Sequence, residues 1–414
     1  MSSKNLPLTG LRVVELGTHV AIPNATRCLA DWGATVIKIE NAKGDEWRVI
    51  GKGYNTPCTD DENPVFTMQN ANKKLISLNV KSDEGMEALF KLLETADVFA
   101  SNVRLKSLKK LGLDYDSLKE RFPKLIYTHF TGFGYNGADA ERPGFDKAAF
   151  WARGGADADM AYKGGYPMNP VIGFGDATVA NAILSGILAA LLGRERTGQG
   201  AFLSSSLYGC AIWYGGIGII SAQELYGVKF PKEYMDPALP FSHIYKCKDG
   251  EWLIITVIDH DGRYERLCRA LGMDEYLQDE RYMYIENVKK RKEEFVEIVK
   301  QHFLQKTSDE WTKIFDKYDV VYERIAHFSD VLVDQQAWDN SFLKKVRFDS
   351  GRDVILPTNP VQFREYDEPD YRITGPIGRD TSEVLEEIGY SKEVIERMHK
   401  NKSIVVHDKE GDII

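Results

Sequence analysis

The first half of the chain alternates short apolar runs with amphipathic ones. Leu11-Arg-Val-Val-Glu-Leu16 and Val36-Ile-Lys-Ile-Glu40 have strand character, and Ala25 to Trp32 between them is helical in composition. Met86, Leu89, Phe90 and Leu93 recur at i, i+3, i+4 and i+7, which predicts an amphipathic helix over 84–96. Val98 to Asn102, a short basic helix and the strand Leu125 to Phe130 follow. Strand and helix in regular alternation predict parallel strands with right-handed crossovers, a doubly wound α/β domain. Asp176 sits at the start of an apolar helix expected from Ala177 to Gly193, closed by the turn Thr197-Gly-Gln-Gly200.

The pattern then shifts. Ser221 to Phe241 contains Pro231, Pro237 and Pro240 and reads as a linker. The Asp249-Gly250 turn inside Ile244 to Thr256 predicts a hairpin. Phe295, Ile298, Val299 and Phe303 give one helical face, and Thr307-Ser-Asp-Glu310 is a capping box ahead of Trp311. Four prolines from Pro357 to Pro376 mark a second crossing, and a helix near Ser382 to Gly389 follows. The expected architecture is α/β: a large doubly wound, Rossmann-like domain from both chain ends (1–221 and 340–414), with a smaller α+β domain and its linkers inserted at 222–339.

Composition narrows the function classes. At 414 residues, 43% apolar, the chain is a folded protein with more than one core. With 53 Lys+Arg against 62 Asp+Glu, a net charge of −9 argues against nucleic-acid binding, though not against a local basic pocket. The N-terminus has no signal-peptide core, and the apolar run Ala180 to Leu192 falls short of the roughly 20 residues that span a bilayer. It reads as a buried helix of a cytoplasmic protein without membrane partners. Five cysteines without a CxxC fit reduced thiols, and eight histidines without ligand spacing predict no metal.

Three features could carry chemistry. Gly132-Phe-Gly-Tyr-Asn-Gly137 matches GxGxxG, but Pro143-Gly144 follows where a phosphate-binding helix should open. A chance match or a glycine-rich active-site loop fits better. Arg104, Lys106, Lys109 and Lys110 lie past a strand end and could hold a polyanion, yet such runs are more often a solvated helix face. Asp176 stands before an apolar helix, where a carboxylate is usually an N-cap. The alternative is a nucleophile that attacks acyl groups. The residues alone favour the cap.

Taken in order, these segments resemble the class III (CaiB/BaiF-type) CoA-transferases over nearly the whole chain. The likeness rests on Leu11 to Leu16, Asp31-Trp-Gly-Ala-Thr-Val-Ile-Lys-Ile-Glu40, Asn72 to Lys81, Pro143-Gly-Phe-Asp146, Gly175-Asp176 and Thr197-Gly-Gln-Gly200. It implies that Asp176 is the catalytic aspartate. It also implies CoA contacts at Val20, Ala21, Leu78, Asn79, Val80, Lys81, Asn102, Val103, Arg104, Lys110, Gly144, Phe145, Asp146 and Lys147, with Lys110 in place of a common arginine. CoA thioesters and carboxylic acids are the implied substrates, with no permanently bound cofactor and an interlocked homodimer as the assembly.

The sequence is most similar to the branch acting on 2-hydroxy acids, of phenyllactate and 2-hydroxyisocaproate type, in anaerobic amino-acid fermentation. That implies functional coupling to a 2-hydroxyacyl-CoA dehydratase. The glycine run of formyl-CoA transferases is missing at Met235 to Phe241, and Phe145 stands where the racemase branch carries a histidine. An acyl-CoA racemase and a non-catalytic CoA-binding subunit are the alternatives.

Overall fold

The computed structural model describes residues 4–407, which form two compact units. The larger draws on Met1–Ala156, Asn169–Ile219 and Gln335–Ile414. Its sheet holds β1 (Arg12–Leu16), β2 (Thr35–Glu40), β3 (Lys74–Leu78), β4 (Val98–Ser101), β5 (Ile126–Thr131) and β6 (Ala201–Ser206). A short strand from the far end of the chain (Ile404–Val405) completes it. The spatial order is that short strand, then β3, β2, β1, β4, β5, β6. The six main strands are parallel, and the short one pairs antiparallel with β3, Ile404 opposite Leu78.

Both sheet faces are buried, so β1 reads as a nearly continuous apolar run rather than an alternating one. Val13 joins a core with helix α1 (Ala21–Asp31) on one face, while Val14 joins Leu89, Leu92 and Phe99 on the other. Helices α2 (Pro64–Asn70), α3 (Asp83–Glu94) and α4 (Leu105–Leu111) complete the first half, and Ser82 Oγ caps α3 by accepting from the Gly85 N–H at 3.2 Å. Chain order reverses at β1, with β2 on one side and β4 on the other. Open α/β sheets bind ligands in the crevice at the carboxyl ends of such a pair.

The long apolar helix α5 spans Phe174–Thr197. Two expectations change here. Asp176 is the third residue of α5 rather than its cap, because the N-cap is Gly173 at φ 81°. Nor is α5 wholly buried: Val179, Ala180, Ile183, Leu184 and Ile187 are inside, while Leu192 is 56% exposed.

The smaller unit joins Asp157–Met168 to Ile220–Asp334. The expected hairpin is β7 (Ser242–Lys246) and β8 (Trp252–Thr256), with Tyr245 opposite Leu253, and β9 (Tyr322–Arg324) adds a third antiparallel strand. Fully buried Tyr245, Phe295, Phe303, Trp311 and Phe315 form its core. The Thr307–Glu310 capping box is present.

Candidate active site

The segment Gly17 to Ala21 leaves β1 at the reversal point, and side chains from three other segments hold its backbone. Lys38 Nζ donates to the Gly17 carbonyl at 2.8 Å. Asn102 Nδ2 donates to the Thr18 carbonyl at 2.8 Å, and Asn102 Oδ1 accepts from the Thr18 N–H at 3.0 Å. Asp45 Oδ1 accepts from the His19 N–H at 3.1 Å. His19 itself sits at φ 67°, a region that non-glycine residues occupy only when their surroundings enforce it.

Beneath this loop lies a buried ion cluster. Glu15 bridges Lys38 and Lys73, each at 2.8 Å, and Lys38 also meets Asp45 at 3.0 Å. Burial opposes ionisation of Glu15, but the two ammonium groups prevail and hold its pKa down to about 2. Burial pushes Lys73 down to about 8, whereas the carboxylates round Lys38 outweigh burial and push it up.

A second support comes from β5. Gly132, just past the strand, touches Gly144 backbone to backbone, and a Cβ at Gly132 would lie 2.5 Å from the Gly144 Cα. The glycine-rich stretch from Gly132 is therefore a packed loop with no helix opening on its last glycine, and the dinucleotide fingerprint falls away. The contact delivers Phe145 and Asp146 to the start of α5, where Asp146 opens a π-helical turn, Asp146–Ala152.

Asp146 is 3% exposed, and its Oδ2 accepts from the Gly173 N–H at 2.8 Å. Burial raises its pKa, while the N–H groups of Gly173, Asp176 and Gly175 act in the opposite sense. Gly175 is required by this packing, since a Cβ there would lie 2.2 Å from Asp146 Oδ1. Next to it, part-buried Asp176 receives no hydrogen bond on its carboxylate among the described residues. Burial and the negative charge of Asp146 push its pKa up to about 7. Val20 and Trp47 lie close beside Gly173, and the exposed Phe145 ring stands 5.3 Å from that of His19.

The topology carries residues 17–21, 79–81, 102–104 and 132–147 to one edge, past the carboxyl ends of β1, β3, β4 and β5. Several side chains do not face a ligand there. Val20 and Ala21 are 0% and 2% exposed and belong to the core, which leaves only their backbone for binding. Leu78 is buried in the sheet core, and Asp146 is turned towards the helix start. The amide of Asn102 is engaged with Thr18, the Val103 carbonyl meets His129 Nε2 at 2.8 Å, and Lys147 Nζ donates to Asn169 Oδ1 at 2.6 Å. Asn79, Lys81, Arg104, Lys110 and Phe145 are exposed, while Val80 and Gly144 are half-buried.

Sequence reasoning passed over Thr18, His19, Lys38, Asp45 and Lys73. A signal was present: Glu15 and Lys38 stand in the middle of runs too apolar for solvent, where a charge must find a partner.

Residues 8–381 match the family model described as CoA-transferase family III. The chain belongs to that family. It is 40% identical over 397 residues to the (R)-2-hydroxy-4-methylpentanoate CoA-transferase of Clostridioides difficile, covering 96% of this chain and 99% of that protein. To the cinnamoyl-CoA:phenyllactate CoA-transferase of Clostridium sporogenes it is 38% identical over 408 residues, covering 98% and 99%. Among solved structures, a CaiB/BaiF family protein from Brucella suis superposes with a TM-score of 0.77 at 28% identity, over 93% of this chain and 100% of that one. The family III CoA-transferase described here is thus an enzyme of that class, with a mixed α/β fold built on a large parallel sheet.

Proposed function

We propose that this enzyme moves CoA from an acyl- or enoyl-CoA to a 2-hydroxy carboxylic acid of aryl-lactate or 2-hydroxyisocaproate type. The single observation that carries the mechanism is the carboxylate of Asp176, part-buried at the start of α5 and without a donor among the described residues. A carboxylate held by burial and a like charge above its ordinary pKa is a more basic, and so more reactive, nucleophile once ionised. The acid specificity is supported by the two relatives named above, both of which are CoA-transferases for 2-hydroxy acids by name.

In this reading an Asp176 oxygen adds to the thioester carbonyl, the C–S bond breaks, and CoA leaves as the thiolate. The thiolate then attacks the aspartyl carbonyl of the mixed anhydride, giving an aspartyl-CoA thioester and the free donor acid. The acceptor carboxylate attacks that thioester and displaces the thiolate, which takes the acceptor acyl group and regenerates Asp176. One thioester replaces another, so no ATP is consumed. Glycine-loop N–H groups would receive the developing oxyanions. Asn79 to Lys81, Arg104 and Lys110 would receive the nucleotide end of CoA, with the 17–21 backbone beside them.

A homodimer belongs to the same reading, supported by the apolar surface that Leu192, Trp213 and Ile217 leave exposed at 56%, 81% and 86%. So do a cytoplasmic place in amino-acid fermentation and a dehydratase that consumes the product. Sedimentation of the purified chain tests the dimer. For the chemistry, turnover of acyl-CoA in hydroxylamine should deposit a hydroxamate on Asp176, and continued transfer with Asp176 unmodified overturns the covalent route. Phenyllactate, 4-hydroxyphenyllactate, indolelactate, 2-hydroxyisocaproate and lactate offered in competition identify the acceptor.

A further inference from the structure

We infer that Asp146 is a positioning residue for the nucleophile: its carboxylate takes the Gly173 N–H at the start of α5 and stands beside Asp176 as a fixed negative neighbour. The inference rests on the reading of Asp176 as the attacking group. An acidic side chain in the first turn of a helix is ordinarily stabilised by the free N–H groups and the positive end of the macrodipole. At α5 the first of those groups, the Gly173 N–H, serves another residue. The Gly173 N–H donates to Asp146 Oδ2 at 2.8 Å, and the N–H groups of Gly175 and of Asp176 favour the charged form of the same carboxylate electrostatically, with Oδ1 buried and without a hydrogen bond.

The geometry leaves little room for Asp146 to do otherwise. It is 3% exposed, tied to β5 through the Gly132–Gly144 contact, and packed so closely on Gly175 that a Cβ would clash with both Asp146 Oδ1 and the Phe150 ring, at 2.2 and 2.7 Å. Other ionisable side chains on the surrounding elements are His19, Glu46, Tyr54, Lys147 and Tyr214. Tyr54 accepts from the Ile172 N–H at 3.4 Å, Tyr214 donates to the Thr178 carbonyl at 3.5 Å, and Lys147 acts on Asp146. Asp176 is left facing a like charge, with no donor among the described residues. Acylation removes the charge of Asp176, so the repulsion is relieved as the covalent bond forms.

Carboxyl carbons of aspartate-labelled enzyme, titrated by NMR in the full chain, test the pairing apart from activity. Asp146→Asn keeps an acceptor for the Gly173 N–H but removes the charge. It should lower the Asp176 midpoint by about one unit and move the acid limb of the kcat/KM profile with it, with KM for the CoA donor little changed. Asp146→Ser, which also removes the charge and keeps an acceptor oxygen, should lower the Asp176 midpoint by the same amount, and this arm stands even if Asp146→Asn fails to fold. Midpoints that stay put in both variants overturn the pairing. Midpoints that move while the rate profile does not overturn Asp176 as the nucleophile, and the positioning role with it.

Discussion

Asn102 grips Thr18 at both of its backbone polar atoms, N–H at 3.0 Å and carbonyl at 2.8 Å, across the point where the strand order reverses. A residue carried over as a CoA contact thus acts on the loop beside it. Asn102→Ala strands both Thr18 groups, at a cost of about 1–3 kcal/mol. CoA binding by calorimetry should weaken together with the thermal midpoint, while Asn102→Asp, which keeps only the acceptor, should fall between.

Asp176→Ala should bind CoA yet lose transfer by about 10⁴-fold or more, the scale expected for removing a covalent nucleophile. Single-turnover assays with mass spectrometry of the acylated chain check this.

The same residue links stability to pH. Its carboxyl has a folded pKa of about 7, above the ordinary carboxylate value, so the folded state binds the proton more tightly. The contribution of this carboxyl to stability is therefore full below about pH 4 and declines as pH rises to about 7. Asp176→Asn removes this dependence. The variant should melt above wild type at pH 8 and at the same temperature near pH 4. Activity runs the opposite way, because the attacking form is ionised, and kcat/KM should fall about tenfold per unit well below pH 7.

Glu15 is the mirror case. Its folded pKa is about 2, below the ordinary value, so it stabilises the fold above about pH 4.5 and that contribution is lost as pH falls towards 2. Glu15→Gln leaves Lys38 and Lys73 buried without their shared counter-charge and should cost about 3–5 kcal/mol in denaturant unfolding.

Gly144→Ala should disturb the site from outside it. Its Cβ would lie 2.4 Å from the Gly132 Cα, and only a backbone shift can accommodate it. About 1–3 kcal/mol of stability should be lost, with a larger loss of activity than distance from Asp176 would suggest, because Phe145 and Asp146 move with it.

The alternation of β1, α1, β2, α3 and β4 was legible because apolar periodicity reports burial directly, as were the β7–β8 hairpin and the Thr307 capping box. β6 was not, because Ala201-Phe-Leu-Ser-Ser-Ser206 lacks β-branched residues. The role of Asp146 stayed hidden for a different reason. It caps a helix 27 residues further along the chain, and no local pattern marks a partner so distant. His19 was missed likewise, since its left-handed backbone is imposed by Asp45 and Asn102 rather than by its own type.

The ions under the loop also shape how a highly charged substrate arrives. Lys38 and Lys73 are matched by Glu15 and Asp45, and Arg48 by Glu40 at 2.7 Å, so the floor of the crevice is electrically neutral. Long-range attraction for a polyphosphate is left to solvent-facing cations at the rim, which dissolved ions screen within about 10 Å at 0.1 M. Added salt should slow capture of the thioester while the turnover of enzyme already loaded with it continues undiminished.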